Sequence, residues 1–206
     1  MSEFEIVRIE RAAVVGCGVI GAAWASRMLL NSVDVAVSDP NPDAEEILIE
    51  VLGNAIAAYD DLGLPTDRQG SYRIASSVAD AVADAQFIQE SVPERPDVKA
   101  AVLAAIEAAA PVDTIIGSST SGIKPTVMQE GMTNPERLLV GHPYNPVYLL
   151  PVVEVVGGEA TTIENVRRAQ GIYAGIGMRP STAELRSMRS SATGFSKPCG
   201  ARLCGW

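Results

Sequence analysis

Two hydrophobic rhythms alternate along this chain. Short apolar runs end in glycine or a polar cluster, and between them lie stretches whose apolar residues recur at three- and four-residue steps. Ala12 to Val15 is the first run and predicts a buried strand. Residues from about Val19 to Leu30 predict a helix, and Val33 to Val37 a second strand that stops at Ser38-Asp39-Pro40. The next helix has a clear apolar face, formed by Ile47, Leu48, Val51, Leu52, Ala55, Ile56 and Tyr59, and Gly63 and Pro65 close it. Tyr72 to Ala75 reads as a short strand, Val78 to Ala83 as a short helix, and Phe87 to Glu90 as a strand. An alanine-rich helix covers about Asp97 to Ala110. Thr114 to Gly117 is a strand ending in the polar run Ser118-Ser119-Thr120-Ser121-Gly122. Leu138 to Val140 leads into His142, Val152 to Val156 is the last convincing strand, and a helix from about Ile163 to Ile176 follows. Such alternation predicts an α/β fold, a doubly wound and mostly parallel sheet covered on both faces.

Composition narrows the partners. The 206 residues are 47% hydrophobic and 20% charged, which suits one full domain or a domain plus part of a second. A net charge of -9 opposes nucleic acid, anionic membrane and polyanionic ligands, though not a cationic substrate. Of the three cysteines, Cys17 lies in a glycine loop and Cys199 and Cys204 near the end. That scattered, odd set is no disulfide framework and fits a reducing cytoplasm. Met1 to Glu5 lacks the pattern of a secretory signal, and no apolar stretch is long enough to span a bilayer. No cluster of metal-ligand type stands out, so no metal is expected.

Gly16-Cys17-Gly18-Val19-Ile20-Gly21 follows the first strand and opens the first helix. Gly16 permits the tight turn, Gly18 lets backbone approach a pyrophosphate, and Gly21 lets helix pack on strand. The helix start, with Val19 and Ile20, offers free amides to phosphates. Asp39 closes the second strand about 20 residues after the loop, where an acid binds the ribose hydroxyls of a dinucleotide. No basic residue lies beside it, so the reading is NAD rather than NADP.

The single histidine, His142, stands in His142-Pro143-Tyr144-Asn145-Pro146 directly after an apolar strand. In an open parallel sheet that is where the active-site crevice lies. Glu154, on the following strand, is placed to hydrogen-bond the second ring nitrogen, which sets the tautomer and raises basicity. Asn145 and Ser121 can hydrogen-bond a substrate hydroxyl that becomes a carbonyl. Each also suits an ordinary turn, Asn145 before proline and Ser121 before glycine. A dinucleotide loop with one imidazole at a strand end points to hydride transfer from an alcohol, the imidazole taking the hydroxyl proton.

Together with the glycine loop, three longer segments carry a resemblance: Gln89-Glu90-Ser91-Val92-Pro93-Glu94-Arg95, Ser118 to Gly122, and His142 to Pro151. From about Ala12 to Arg179 the chain resembles the 3-hydroxyacyl-CoA dehydrogenase superfamily, and the longer segments look closest to its L-carnitine dehydrogenase branch. The resemblance implies a Rossmann-type NAD-binding domain followed by a helical C-terminal domain that makes a homodimer. It implies His142 as general base, Glu154 as its orienting partner, and Ser121 and Asn145 as oxygen-binding groups. Glu94 and Lys99 match family positions near the nicotinamide end, although a glutamate and a lysine so spaced also fit a solvated helix face.

The substrate is read from charge. No lysine or arginine occurs between Arg27 and Arg68, a stretch that carries Asp43, Glu45, Glu46, Glu50, Asp60 and Asp61. The acyl-CoA enzymes look basic there, and this stretch would repel the phosphates of coenzyme A. A small zwitterion with a trimethylammonium head, such as L-carnitine, would not be repelled, and Tyr144 and Tyr148 could face such a head or simply pack. A hydroxyacyl-CoA, an L-gulonate-type substrate with the same chemistry, and a catalytically silent NAD-binding fragment are the alternatives.

After Arg179 the character changes. Residues 181–206 are rich in Ser, Arg, Gly and Cys and show neither helical nor strand period. The division expected is therefore 1–180 as the NAD-binding domain and 181–206 as an aberrant or disordered tail, with the helical domain absent. Codons permitted from Arg186 onward, read in another frame, spell a segment of helical spacing, which suggests a frameshift near Pro180. A chain lacking the helical domain would expose apolar surface and tend to associate.

Overall fold

A computed structural model describes residues 4–67 and 69–182. Residues 183–206, with Cys199 and Cys204 and the segment from Arg186 whose codons were read in another frame, lie outside the described part.

The chain runs β1 (Arg11–Val15), α1 (Val19–Leu29), β2 (Asp34–Ser38), α2 (Ala44–Asp61), β3 (Tyr72–Ile74), α3 (Val78–Val82), β4 (Phe87–Glu90) and α4 (Pro96–Ala109). It continues through β5 (Ile115–Ser118), the single turn α5 (Pro125–Met128), β6 (Leu138–Pro143), β7 (Val152–Gly157), α6 (Ile163–Gly175) and β8 (Arg179–Thr182). The strands form one sheet in the order β3-β2-β1-β4-β5-β6-β7-β8. The chain winds outward from β1 to β3, returns to lay β4 on the other side of β1, and then winds outward again. The order therefore reverses between β1 and β4, which is the switch point where such sheets bind ligands beyond the strands' carboxyl ends.

The central strands are apolar through most of their length because their two faces meet different helices. Ala12, Val14, Val35, Val37, Phe87, Ile115 and Leu139 join Trp24, Met28 and Leu29 of α1 and Ile172 and Tyr173 of α6. Ala13, Val15, Ala36, Ile88, Ile116, Leu138 and Val140 join Ala81 and Val82 of α3 and Leu103 and Ile106 of α4. Helix α1 is buried from Gly21 to Leu29, which explains its run of small residues.

Four features add to the pattern-based reading. His142 lies inside β6, which runs to Pro143 instead of stopping at Val140. β7 runs antiparallel to β6, so the sheet is parallel only up to β6 and again between β7 and β8. Ser181 and Thr182 belong to β8, so regular structure passes the boundary that composition suggested at 180. The segment before β1 is also ordered on α6. Val7 donates its N–H to the Gly171 carbonyl at 3.0 Å, and a Cβ at Gly171 or Gly175 would run into Glu5 or Val7 backbone.

Tyr173 pins α6 beneath the sheet. Its ring lies 5.4 Å from Trp24 and 5.3 Å edge-on from Phe87, and its hydroxyl donates to Gln89 Oε1 at 2.8 Å. Full burial pushes the phenol far above its ordinary pKa. Gly117 and Gly141 leave the space that this hydroxyl fills, and a Cβ at Gly141 would overlap it. Gly141→Ala is therefore expected to destabilise by about 1–3 kcal/mol through overpacking. In urea unfolding, Gly141→Ala combined with Tyr173→Phe should cost less than the sum of the single changes. Strict additivity would place the strain elsewhere.

Candidate functional site

Strand register aligns the carboxyl ends in one row: Ser38 beside Val15, Val15 beside Glu90, Glu90 beside Ser118, and Ser118 beside Val140. Just past this row come Asp39, the glycine loop, Ser91, the Ser119–Gly122 loop and His142. The glycine loop, Asp39, Glu94, Ser121, His142 and Asn145 thus lie at or beyond the carboxyl ends of the strands. Glu154 reaches that edge from the antiparallel strand beside it.

The three loop glycines differ in surroundings. Gly16 has φ +94°, and a Cβ there would press on the Ser91 and Val92 backbone. Gly21 packs against the Gly16 carbonyl, where no Cβ fits. Gly18 has only open space where its Cβ would be, and it starts α1 without any side-chain cap or acid in the first turn. Uncapped amides and open space above Gly18 suit a pyrophosphate. Asp39 accepts the Cys17 N–H at 2.6 Å and the Asn41 N–H at 2.7 Å. It is half-exposed, and a carboxylate so engaged keeps lone pairs for ribose hydroxyls. The Cys17 thiol is buried, and desolvation together with the Asp39 charge pushes its pKa up to about 11, so it is no nucleophile at neutral pH.

Across the antiparallel pair β6/β7, His142 faces Glu154 directly in register. Nδ1 of the imidazole lies 3.2 Å from Glu154 Oε2, and the Tyr144 hydroxyl donates to Oε1 at 3.3 Å. The histidine side chain is 33% exposed, enough to meet a substrate. With the carboxylate accepting from Nδ1, Nε2 carries the free lone pair, which is the arrangement of a general base. Ser121 and Asn145 are exposed in the loops after β5 and β6. Tyr148 is instead packed against the core, its carbonyl accepting from the buried Arg27 at 2.9 Å. Packing therefore accounts for Tyr148, and Tyr144 alone of the two tyrosines stands exposed beside the histidine.

Glu94 and Lys99 do not form a solvated helix face. Glu94 precedes α4, and its carboxylate accepts from the Thr120 hydroxyl and from the Gly122 N–H at 2.8 Å. Burial raises its pKa, but the Thr120 and Gly122 hydrogen bonds, the Lys99 charge and the Ser121 N–H together hold it below the ordinary value. Glu94 thereby clamps the loop that carries Ser121. Lys99 is 1% exposed, and its ammonium donates to both oxygens of Glu90, at 2.8 and 2.9 Å, and to the Val92 carbonyl at 3.2 Å. Its donors are thus directed at protein groups.

The sequence pattern assigns no individual role to Glu90, Gln89, Ser91 or Ser119. Glu90 also accepts from the Ser118 hydroxyl and the Val92 N–H, so one buried carboxylate ties β4, β5 and α4 together. The signal was present as two polar residues closing an otherwise apolar strand. A cavity of about 200 Å³ beside Arg11, Asp34 and Tyr72 opens at the amino ends of β1–β3, away from this edge. Among the described residues no group of histidine, cysteine and carboxylate side chains could hold a metal, and no helix is long and apolar enough to cross a membrane.

Residues 11–184 match the 3-hydroxyacyl-CoA dehydrogenase NAD binding domain. The chain is 56% identical over 176 residues to an L-carnitine dehydrogenase of Mesorhizobium japonicum, covering 84% of this chain and 48% of that protein. It is 50% identical to an L-carnitine dehydrogenase/betainyl-CoA thioesterase of Rhizobium meliloti, covering 83% of this chain and 35% of that one. It therefore spans about half the length, or less, of these two curated relatives. Among solved structures, an NAD+-dependent pyridine-carboxylic acid 5-dehydrogenase superposes with a TM-score of 0.79 at 33% identity, covering 85% of this chain and 58% of that one. The 3-hydroxybutyryl-CoA dehydrogenase of Escherichia coli K12 superposes with a TM-score of 0.77 at 26% identity, covering 85% of this chain and 38% of that one. Sheet order, glycine loop and matched span agree, and the chain belongs to the 3-hydroxyacyl-CoA dehydrogenase family through its NAD-binding domain.

Proposed function

We propose that this chain is the cofactor-binding half of an NAD-dependent dehydrogenase that oxidises the 3-hydroxyl of L-carnitine to 3-dehydrocarnitine. The observation that carries the chemistry is the in-register His142–Glu154 pair at the carboxyl edge of β6. NAD, which the Gly16–Gly21 loop and Asp39 would hold, would supply the hydride acceptor for the carbinol carbon. His142 Nε2 takes the hydroxyl proton, and Glu154 holds the ring through Nδ1 and stabilises the imidazolium that results. Ser121 and Asn145 hold the substrate oxygen as it becomes a carbonyl.

Charge supports carnitine over an acyl-CoA. Asp43, Glu45, Glu46, Glu50, Asp60 and Asp61 are all exposed on and around α2, where a coenzyme A phosphate would meet repulsion. The exposed Tyr144 ring, with Glu154 behind it, offers a trimethylammonium head an aromatic face and a negative charge. The identities to L-carnitine dehydrogenases point the same way.

The test uses two proteins: the 206-residue chain, and a completed protein in which residues 1–180 are joined to the remaining C-terminal part of the Mesorhizobium relative. The completed protein should form NADH with L-carnitine and not with a 3-hydroxyacyl-CoA. The chain alone should bind NAD yet turn over far more slowly, because hydride transfer needs the carbinol carbon held at close range. Equal rates would show that this half suffices. Activity with a hydroxyacyl-CoA alone would favour the acyl-CoA reading.

Asp39 should set the cofactor. NAD is expected to bind, and NADP to bind poorly, because the carboxylate would face the 2′-phosphate. Fluorescence titration giving equal affinities would remove Asp39 from the ribose.

A further inference from the structure

Ser119 Oγ sits at the meeting point of three hydrogen bonds. Trp24 Nε1 lies 3.2 Å away, Gln89 Nε2 2.8 Å and Ser91 Oγ 2.8 Å. An indole nitrogen only donates. The orientation of the Gln89 amide is set by its other neighbours. Its nitrogen also faces the Gly141 carbonyl at 3.4 Å, which only accepts, and its oxygen takes the Tyr173 hydroxyl. Both lone pairs of Ser119 Oγ are thus used by donors. Its one proton must go to Ser91 Oγ.

That assignment leaves Ser91 as an acceptor from Ser119 with its own O–H still to give. Among the described residues no other partner of the Ser91 hydroxyl is found. Ser91 is the first residue past β4, on the side of the reversal point that faces His142. Its N–H donates to the Val15 carbonyl at 2.7 Å, and its backbone closes on Gly16. Its side chain is half-buried between the glycine loop and the Ser119–Gly122 loop. A dinucleotide lying across this crevice puts its adenosine ribose at Asp39 and its other half beyond β4.

We propose that Ser91 is a cofactor-binding residue whose hydroxyl donates to an oxygen of the nicotinamide ribosyl-phosphate half of NAD. The proposal rests on the reading of the glycine loop as the pyrophosphate site. The chain Tyr173–Gln89–Ser119 fixes Ser91 as an acceptor from within the core and so leaves its own proton for a ligand.

Calorimetric titration of the 206-residue chain with NAD and with ADP tests it. Ser91→Ala should weaken NAD binding about threefold to tenfold, the range for one hydrogen bond, and leave ADP binding within about twofold. Ser91→Cys keeps the size of the side chain and offers only a weak donor, so it should show the same pattern with less disturbance of the loop. NAD affinity unchanged in both variants would overturn the proposal. Equal losses for NAD and ADP would overturn it too, because they would report a deformed glycine loop. An unsubstituted chain that bound neither nucleotide would overturn the cofactor reading and this proposal with it.

Discussion

In the completed protein, His142→Ala lowers the turnover of L-carnitine by about 10²–10⁴-fold, the usual contribution of a positioned general base. NAD affinity should stay near that of the unsubstituted protein, since the imidazole stands on β6 and the glycine loop follows β1, with β4 and β5 between them in the sheet. Glu154→Gln should cost less, because the imidazole remains and only its partner loses charge. The Glu154 variant should also affect turnover more than KM, because the side chain acts through the histidine. Steady-state rates and NAD titration on the same preparations check both statements. A His142 variant with undiminished turnover would remove the assignment of the base.

Lys99→Met destabilises the domain by about 3–5 kcal/mol, the typical loss when one member of a buried ion pair is removed. Glu90 is fully buried, and the Ser118 hydroxyl and Val92 N–H that remain to it do not replace a charge. That loss is large against the roughly 5–15 kcal/mol that holds a domain folded. The pair itself need not be stabilising. Glu90→Gln combined with Lys99→Met should recover much of the loss, since the orphaned charge is then gone. Urea unfolding of the three variants separates the cases. A Lys99→Met chain as stable as the original would mean that Glu90 has another compensating group.

The two winding halves of the sheet were legible because each strand is short, apolar and closed by glycine or a polar cluster, and because Ile47 to Tyr59 keep a clear helical period. Gly16, Gly18, Gly21 and Asp39 were legible as a set because their spacing answers one steric and electrostatic demand. The direction of β7 was not, since an apolar run reads alike in either direction. β8 was missed because Arg179-Pro180-Ser181-Thr182 has no apolar rhythm, and it holds its place by pairing along β7. Lys99 reads as a surface residue in any local window. Only the fold brings Glu90 beneath it, nine positions earlier in the chain. The Tyr173–Gln89–Ser119 chain was equally hidden, because Tyr173 lies 84 positions from its partner Gln89.

In the reading proposed above, the His142–Glu154 edge of this NAD-binding domain serves the oxidation of carnitine. The most direct measurement is the initial rate of NADH formation by the completed protein with L-carnitine, run beside its His142→Ala variant and beside a 3-hydroxyacyl-CoA as substrate. The expected result is NADH formation with L-carnitine that falls by orders of magnitude in the variant, and none with the acyl-CoA. A completed protein that binds NAD yet reduces it only with the acyl-CoA would rule out carnitine as the substrate, and one that reduces it equally well without the histidine would rule out His142 as the base.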